Sequence, residues 1–190
     1  MTTRSKEDYL KNIYHISEEG GKVNTGSLAT ALSISPASVS EMVNKLSKEG
    51  LIHNKPYHGF ELTGNGRKIS LNLIRKHRLL EVFLHEHLQY EWDEVHEEAE
   101  VLEHVCSDMF INKLEEYLGY PKFDPHGDPI PDKELNLAPT HFKLLLNTEP
   151  GREYTIAKVK DSSIEILQYL TKIGIKKKKK ITLSEKIEFD

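Results

Sequence analysis

Residues 24–50, NTGSLATALSISPASVSEMVNKLSKEG, decide how the first half of the chain is read. Asn24 or Thr25 can cap a short helix carrying Leu28, Ala29, Ala31 and Leu32. A turn through Ser33, Ile34 and Ser35 follows, and Pro36 opens a second helix where a missing N–H costs nothing. That helix sets Val39, Met42, Val43 and Leu46 on one face and stops at Gly50. Two short helices joined by a tight turn, with small apolar residues at the crossing, are a helix-turn-helix pattern. The outer face around the second helix offers Ser35, Pro36, Ala37, Ser38, Ser40 and Glu41, with Lys45 a turn further on and Thr25 at the first helix. Hydroxyls can approach base edges, an alanine methyl can meet thymine, and lysine neutralises phosphate. An unrelated helical hairpin shares this apolar spacing, so the neighbouring segments have to decide.

They agree with DNA binding. Upstream, Tyr9, Leu10, Ile13, Tyr14 and Ile16 predict a helix over 5–18, capped by Ser5 and stopped at Gly20 and Gly21. Downstream, 51–57 and 60–63 read as two short strands about His58 and Gly59. Such a hairpin is a wing, and Lys55, Tyr57 and His58 are its candidate contacts to the sugar-phosphate backbone. Residues 63–66 then start a long helix that runs to about Leu88. This order is that of a winged helix-turn-helix domain, assigned to residues 1–72.

Charge divides the chain in the same way. Residues 1–76 carry 11 Lys and Arg against 7 Asp and Glu, residues 77–150 carry 5 against 17, and residues 151–190 carry 10 against 6. A basic first section suits a polyanion and an acidic middle suits cations. No apolar run approaches the ~20 residues that span a bilayer, so no membrane partner is expected. The N-terminus lacks the apolar core of a signal peptide, and one cysteine, Cys106, fits a reducing, cytoplasmic setting.

The acidic middle contains HEEAEVLEH over 96–104, six ionisable side chains in nine residues. Read as part of a helix from Asp93 to about Val105, it aligns His96, Glu100, Glu103 and His104 along one stripe. Carboxylate oxygen and imidazole nitrogen together suit a divalent cation of the harder kind, whereas an acidic solvated helix is the plain alternative. His77 and Glu81 lie four apart on the long helix. A helix over 107–118 is expected to point Met109, Phe110, Leu114 and Leu118 inward, with Cys106 as a small buried residue. Together with Leu73, Leu79, Leu80, Val82, Phe83 and Leu84, this much apolar helix surface implies a homodimer, which also suits two DNA half-sites.

Residues 119–139 are rich in Pro and Gly and read as an ordered linker, within which Asp124 and His126 are candidate ligands. Residues 140–190 read as a small α+β piece, with a strand over 154–159, a helix over 162–170 and further strand from Lys180. The lysine run 176–180 reads as a solvated loop, with attraction to DNA or another acidic surface as the alternative. The expected fold is mainly α, with 73–139 as a helical metal-binding and dimerisation domain.

Four motifs in order carry a resemblance: DYLKNIY at 8–14, RKHRLLE at 75–81, HEEAEVLEH at 96–104 and PHGDPIP at 125–131. Together they resemble the diphtheria toxin repressor family, and within it the manganese-dependent regulators with a C-terminal SH3-like domain. The resemblance implies a dimeric repressor, activated by manganese(II), that binds operator double-stranded DNA and controls metal-uptake genes; it is not an enzyme. It places a primary metal site on Asp8, His77, Glu100, Glu103 and His104, and a second on Glu81, Asp124, His126 and Asp161. Glu100 stands where the iron-responsive branch has cysteine, which favours manganese, with iron(II) or another divalent cation as the alternative co-repressor. His96 matches an ancillary-site histidine of the iron branch. Lys11 stands where two-domain manganese regulators have a glutamate bridging two metals, a departure that argues against a binuclear cluster. Residue 190 falls inside the SH3-like domain, which is expected to be truncated. Two other classes compete: a winged-helix repressor answering to an organic ligand, and a zinc hydrolase built on His96 and Glu97. The hydrolase lacks a second histidine four positions on, where Glu100 stands.

Overall fold

A computed structural model describes residues 3–55, 59–160 and 163–186. The chain divides into two compact units, Met1–Arg75 and Lys76–Asp190.

In the first unit, α1 (Arg4–Glu18) turns Tyr9, Leu10, Ile13 and Tyr14 inward. Its N-cap position is Thr3, two residues before the expected cap at Ser5. Asn24 caps α2 (Thr25–Leu32): its side chain accepts from the Ser27 amide, and the Ser27 hydroxyl accepts from the Asn24 amide. Ser33 takes the left-handed conformation that ends the helix. Ser35 then caps α3 (Pro36–Lys48) by accepting from the Ser38 amide. Val39, Val43 and Leu46 of α3 join Leu10, Ile13 and Leu28 in one core. The wing is the antiparallel pair β1 (Ile52–Lys55) and β2 (Gly59–Leu62), with Ile52 opposite Leu62 and Lys55 opposite Gly59. Gly59 has a φ of +94°, and a Cβ there would sit 2.0 Å from the Val23 carbonyl oxygen, so only glycine lets the hairpin meet that backbone. The winged helix-turn-helix order read from the sequence is the order observed.

α4 (Gly64–Leu88) continues past residue 75 into the second unit. There α5 (Val95–Leu102) and α6 (Asp108–Tyr117) follow. Leu79, Leu80, Val82 and Leu84 pack with Val95, Ala99, Ile111, Leu114 and Ile130. Three expectations are corrected here. The helix expected to reach Val105 ends at Leu102, so Glu103 and His104 lie in the turn beyond it. Met109 is 77% exposed and Phe110 is also exposed, because α6 turns Ile111 and Leu114 to the core instead. Val101 and Val105 are exposed as well. Cys106 is half-buried rather than buried, and its carbonyl accepts from the Lys76 ammonium.

Beyond a loop section, β3 (Glu153–Thr155) pairs antiparallel with β4 (Lys180–Thr182), and α7 (Ile164–Lys172) lies between them in sequence. The strand is shorter than the 154–159 expected from its apolar alternation, and the helix starts at Ile164. Ser163 caps it by accepting from the Ile166 amide. The SH3-like fold implied by the resemblance rests on the sequence alone.

Candidate metal centre

His77 is buried on α4, and both of its ring nitrogens face acidic or imidazole groups. Nδ1 lies 2.5 Å from Glu103 Oε2 and 3.6 Å from Glu100 Oε2. Nε2 lies 3.1 Å from Glu81 Oε1 and 3.2 Å from His96 Nδ1. Helical spacing explains the Glu81 contact, since residues four apart share a face. The Glu103 contact comes from packing α5 against α4 through Ala99 and Val95, which are fully buried.

At the end of α5, Glu103 is fully buried, Glu100 is half-buried, and His104 Nε2 stands 3.4 Å from Glu103 Oε1. Glu100, Glu103 and His104 each bring one ligand atom within 4.8 Å of the others, and so do His77, His96 and Glu100. Glu103 keeps helical dihedrals and donates its amide to the Ala99 carbonyl, so it continues the face of α5 that carries Glu100, and His104 follows it in the turn. Every donor is a carboxylate oxygen or an imidazole nitrogen. Such a set fits a divalent cation such as manganese(II) or iron(II), and it offers no thiolate to select a softer ion. Asp8, the remaining residue assigned to this set, is half-buried on α1 in the first unit.

The second cluster is built by the loop 123–129. Asp124 Oδ1 accepts from the amides of His126, Gly127 and Asp128 at 2.8–2.9 Å, which folds the loop around the carboxylate. Gly127, at a φ of +100°, is needed because a Cβ would sit 2.1 Å from the Ala157 carbonyl oxygen. That approach also lets the Val159 amide donate to the His126 carbonyl. His126 Nε2 donates to the Trp92 carbonyl oxygen at 2.6 Å, which leaves Nδ1 directed at Glu81 Oε1, 4.0 Å away. Glu81, Asp124 and His126 bring ligand atoms within 4.8 Å, and all three are buried. Asp161, the fourth assigned residue, lies outside the described residues.

Fixed cations already serve this loop. Arg78 reaches Asp124 Oδ2 at 3.5 Å and Asp128 Oδ1 at 3.2 Å, and donates to the Pro129 carbonyl at 2.6 Å. Lys158 pairs with Asp128 at 2.7 Å, and Lys177 donates to the Asp124 carbonyl. Lys177 therefore leaves the lysine run that read as solvated. Burial pushes the Asp124 carboxyl up to about 7, with the charges of Glu81 and Asp128 adding to it. Burial works in the same sense on Glu81, but His77, and then His96 and His126, outweigh it and hold its carboxyl well below the usual range. Sequence reasoning missed Arg78, Lys158 and Lys177. Only Arg78 carried a signal, three positions before Glu81 on one helix.

The candidate DNA-contacting residues separate cleanly. Ser35, Pro36, Ala37, Ser38, Ser40, Glu41 and Lys45 are all exposed on or beside α3. Thr25 is half-buried at the start of α2. Lys55 is exposed and pairs with Glu61 across the wing at 2.6 Å. Tyr57 and His58 lie outside the described residues.

Comparison with known proteins gives consistent matches. The model of the iron dependent repressor N-terminal DNA binding domain matches residues 1–60, and that of the iron dependent repressor metal binding and dimerisation domain matches residues 63–132. The chain is 36% identical over 124 residues to the HTH-type transcriptional regulator MntR of Oceanobacillus iheyensis, a match covering 65% of this chain and 84% of that protein. It is 37% identical over 134 residues to the iron-dependent repressor IdeR of Mycobacterium tuberculosis, covering 70% of this chain but 58% of that protein. A solved manganese-dependent transcriptional repressor in complex with manganese superposes with a TM-score of 0.86 at 38% identity, covering 95% of this chain and 83% of that one.

Proposed function

The chain belongs to the iron-dependent repressor family, and from that premise we propose that it is a dimeric repressor activated by manganese(II). The observation that carries the metal reading is the all-oxygen-and-nitrogen cluster of His77, Glu100, Glu103 and His104. Glu103, fully buried against two imidazoles, gives the set a fixed anionic anchor. A bound divalent cation supplies the positive charge these carboxylates call for. Asp8 is the ligand that α1 would contribute, so metal affinity and the placement of the DNA-binding unit become linked quantities. The exposed Ser35, Pro36, Ala37, Ser38, Ser40 and Glu41 on or beside α3 would read the major groove, with Lys45 and Lys55 on phosphates. The exposed apolar side chains of Val101, Val105, Met109 and Phe110 would contribute to the dimer interface. Operator binding, metal-uptake control and a cytoplasmic location follow from this reading, as does a second metal at Glu81, Asp124, His126 and Asp161.

The test uses a DNA site selected from a random pool in the presence of manganese(II). Its affinity for the protein, measured by anisotropy, is expected to rise about 10–100-fold when manganese is added and to return on chelation. Equal affinity with and without metal would overturn metal activation and favour a repressor of another ligand class. Parallel titrations with iron(II) decide between the two metals.

A further inference from the structure

We propose that the ion pair between Lys6 and Glu49 is a positioning device that ties the state of the first helix to the recognition helix. It rests on the reading above, in which Asp8 of α1 is a metal ligand. Lys6 stands in the first turn of α1, two residues before Asp8. Its ammonium meets both oxygens of Glu49, at 2.7 and 2.6 Å, across 43 residues of chain. Glu49 is the residue that closes α3.

Lysine is almost never buried unless it is paired, yet Lys6 is only 9% exposed. A lysine stem can be buried while its charge is delivered to one point. The chief packing partners of α1 are α2 and β2 rather than α3. The pair therefore gives α1 a direct polar hold on the recognition helix. A second hold comes from α4, where the buried Ser70 hydroxyl donates to the Leu10 carbonyl at 2.8 Å. Gripped on both sides, α1 cannot shift at its first turn without either parting the buried Lys6 from Glu49 or carrying the end of α3 with it. Breaking the pair strands a charge away from water, which is costly. An α-helix is stiff over this length, so a displacement at Glu49 reaches the Ser35–Ser40 end that faces solvent. An apolar contact could slide; two short charged hydrogen bonds hold both distance and direction.

The experiment uses the full chain and three variants: Lys6→Met, which keeps most of the stem, Glu49→Gln, which keeps the shape, and Lys6→Arg, which keeps the charge. Manganese affinity without DNA is measured by calorimetry, DNA affinity with and without manganese by anisotropy, and metal-free stability by thermal melting. Lys6→Met and Glu49→Gln are expected to leave manganese affinity within about threefold, yet to cut the factor by which manganese raises DNA affinity by about tenfold. Lys6→Arg is expected to retain that factor. Should Lys6→Met fail to fold, Glu49→Gln decides alone. Lower melting temperatures with the full manganese response retained would overturn the proposal, since the pair would then be only structural. A wild-type protein whose DNA affinity ignores manganese would overturn the parent reading and this one with it, a result distinct from loss confined to the variants.

Discussion

The cluster at the end of α5 and the cluster in the 123–129 loop use the same chemistry, carboxylate and imidazole, and both border His77 or its neighbour Glu81. Their positive charge comes from different places. At the end of α5, Glu103 faces His77 and His104, groups that can give up a proton and turn a lone pair to a metal. In the loop, Arg78 and Lys158 place permanent cations on Asp124 and Asp128, and Lys177 caps the Asp124 carbonyl. An arginine cannot be neutralised, so it competes with any guest cation for the same carboxylates. Similar ligand lists thus describe one cluster whose counter-charge comes from imidazoles and one partly balanced from within, where the proposed second metal has to compete with Arg78.

The largest expected effect breaks that internal balance. Arg78→Met removes a guanidinium whose side chain is 11% exposed, takes the cation away from buried Asp124 and leaves Asp128 with Lys158 alone. Metal-free stability in urea is expected to fall by about 3 kcal/mol, with metal affinity at the α5 cluster little changed. A loss confined to that metal affinity would show the two clusters to be one unit.

Next, Glu103→Ala should lower manganese affinity by about 100-fold, close to 2.7 kcal/mol, while the metal-free protein melts no earlier than wild type. Removing a fully buried carboxylate relieves desolvation as it deletes a ligand. Calorimetric titration beside a melting curve checks both halves. An unchanged affinity would move the site to the loop.

The most gradual effect concerns pH. The Asp124 carboxyl is raised to about 7 in the folded protein, above its value in an unfolded chain. The native state therefore holds the extra proton between those two values, and stability falls as pH climbs through that window. Relative to Asp124→Asn, metal-free wild type is expected to lose up to about 1.4 kcal/mol per pH unit between about pH 5 and 7. A flat difference across that window would show Arg78 to hold Asp124 ionised throughout.

How much was legible follows from the range of each interaction. Helical spacing placed His77 with Glu81, and Ser35 with Pro36 marked the start of α3, because caps and i,i+4 faces are local. The same logic overextended α5. Its acidic pattern continues to His104, yet the regular helix stops at Leu102, and nothing in that spacing records that packing against α4 sets Glu103 onto His77. Met109 and Phe110 misled for a related reason: an apolar stripe names a helix face without naming what covers it. His96 looked marginal from its motif, but it stands 3.2 Å from His77.

By itself the sequence determined the winged helix-turn-helix order, the acidic middle and an oxygen-and-nitrogen donor set, all of which depend on residue type and short-range periodicity. Tertiary structure alone decided that His77 stands between two groups of carboxylates, that Arg78, Lys158 and Lys177 converge on one loop, and that Lys6 seizes Glu49. These partners lie up to tens of residues apart, and charge complementarity names no partner at that distance. Only the packing that excludes water selects which opposite charge each one meets.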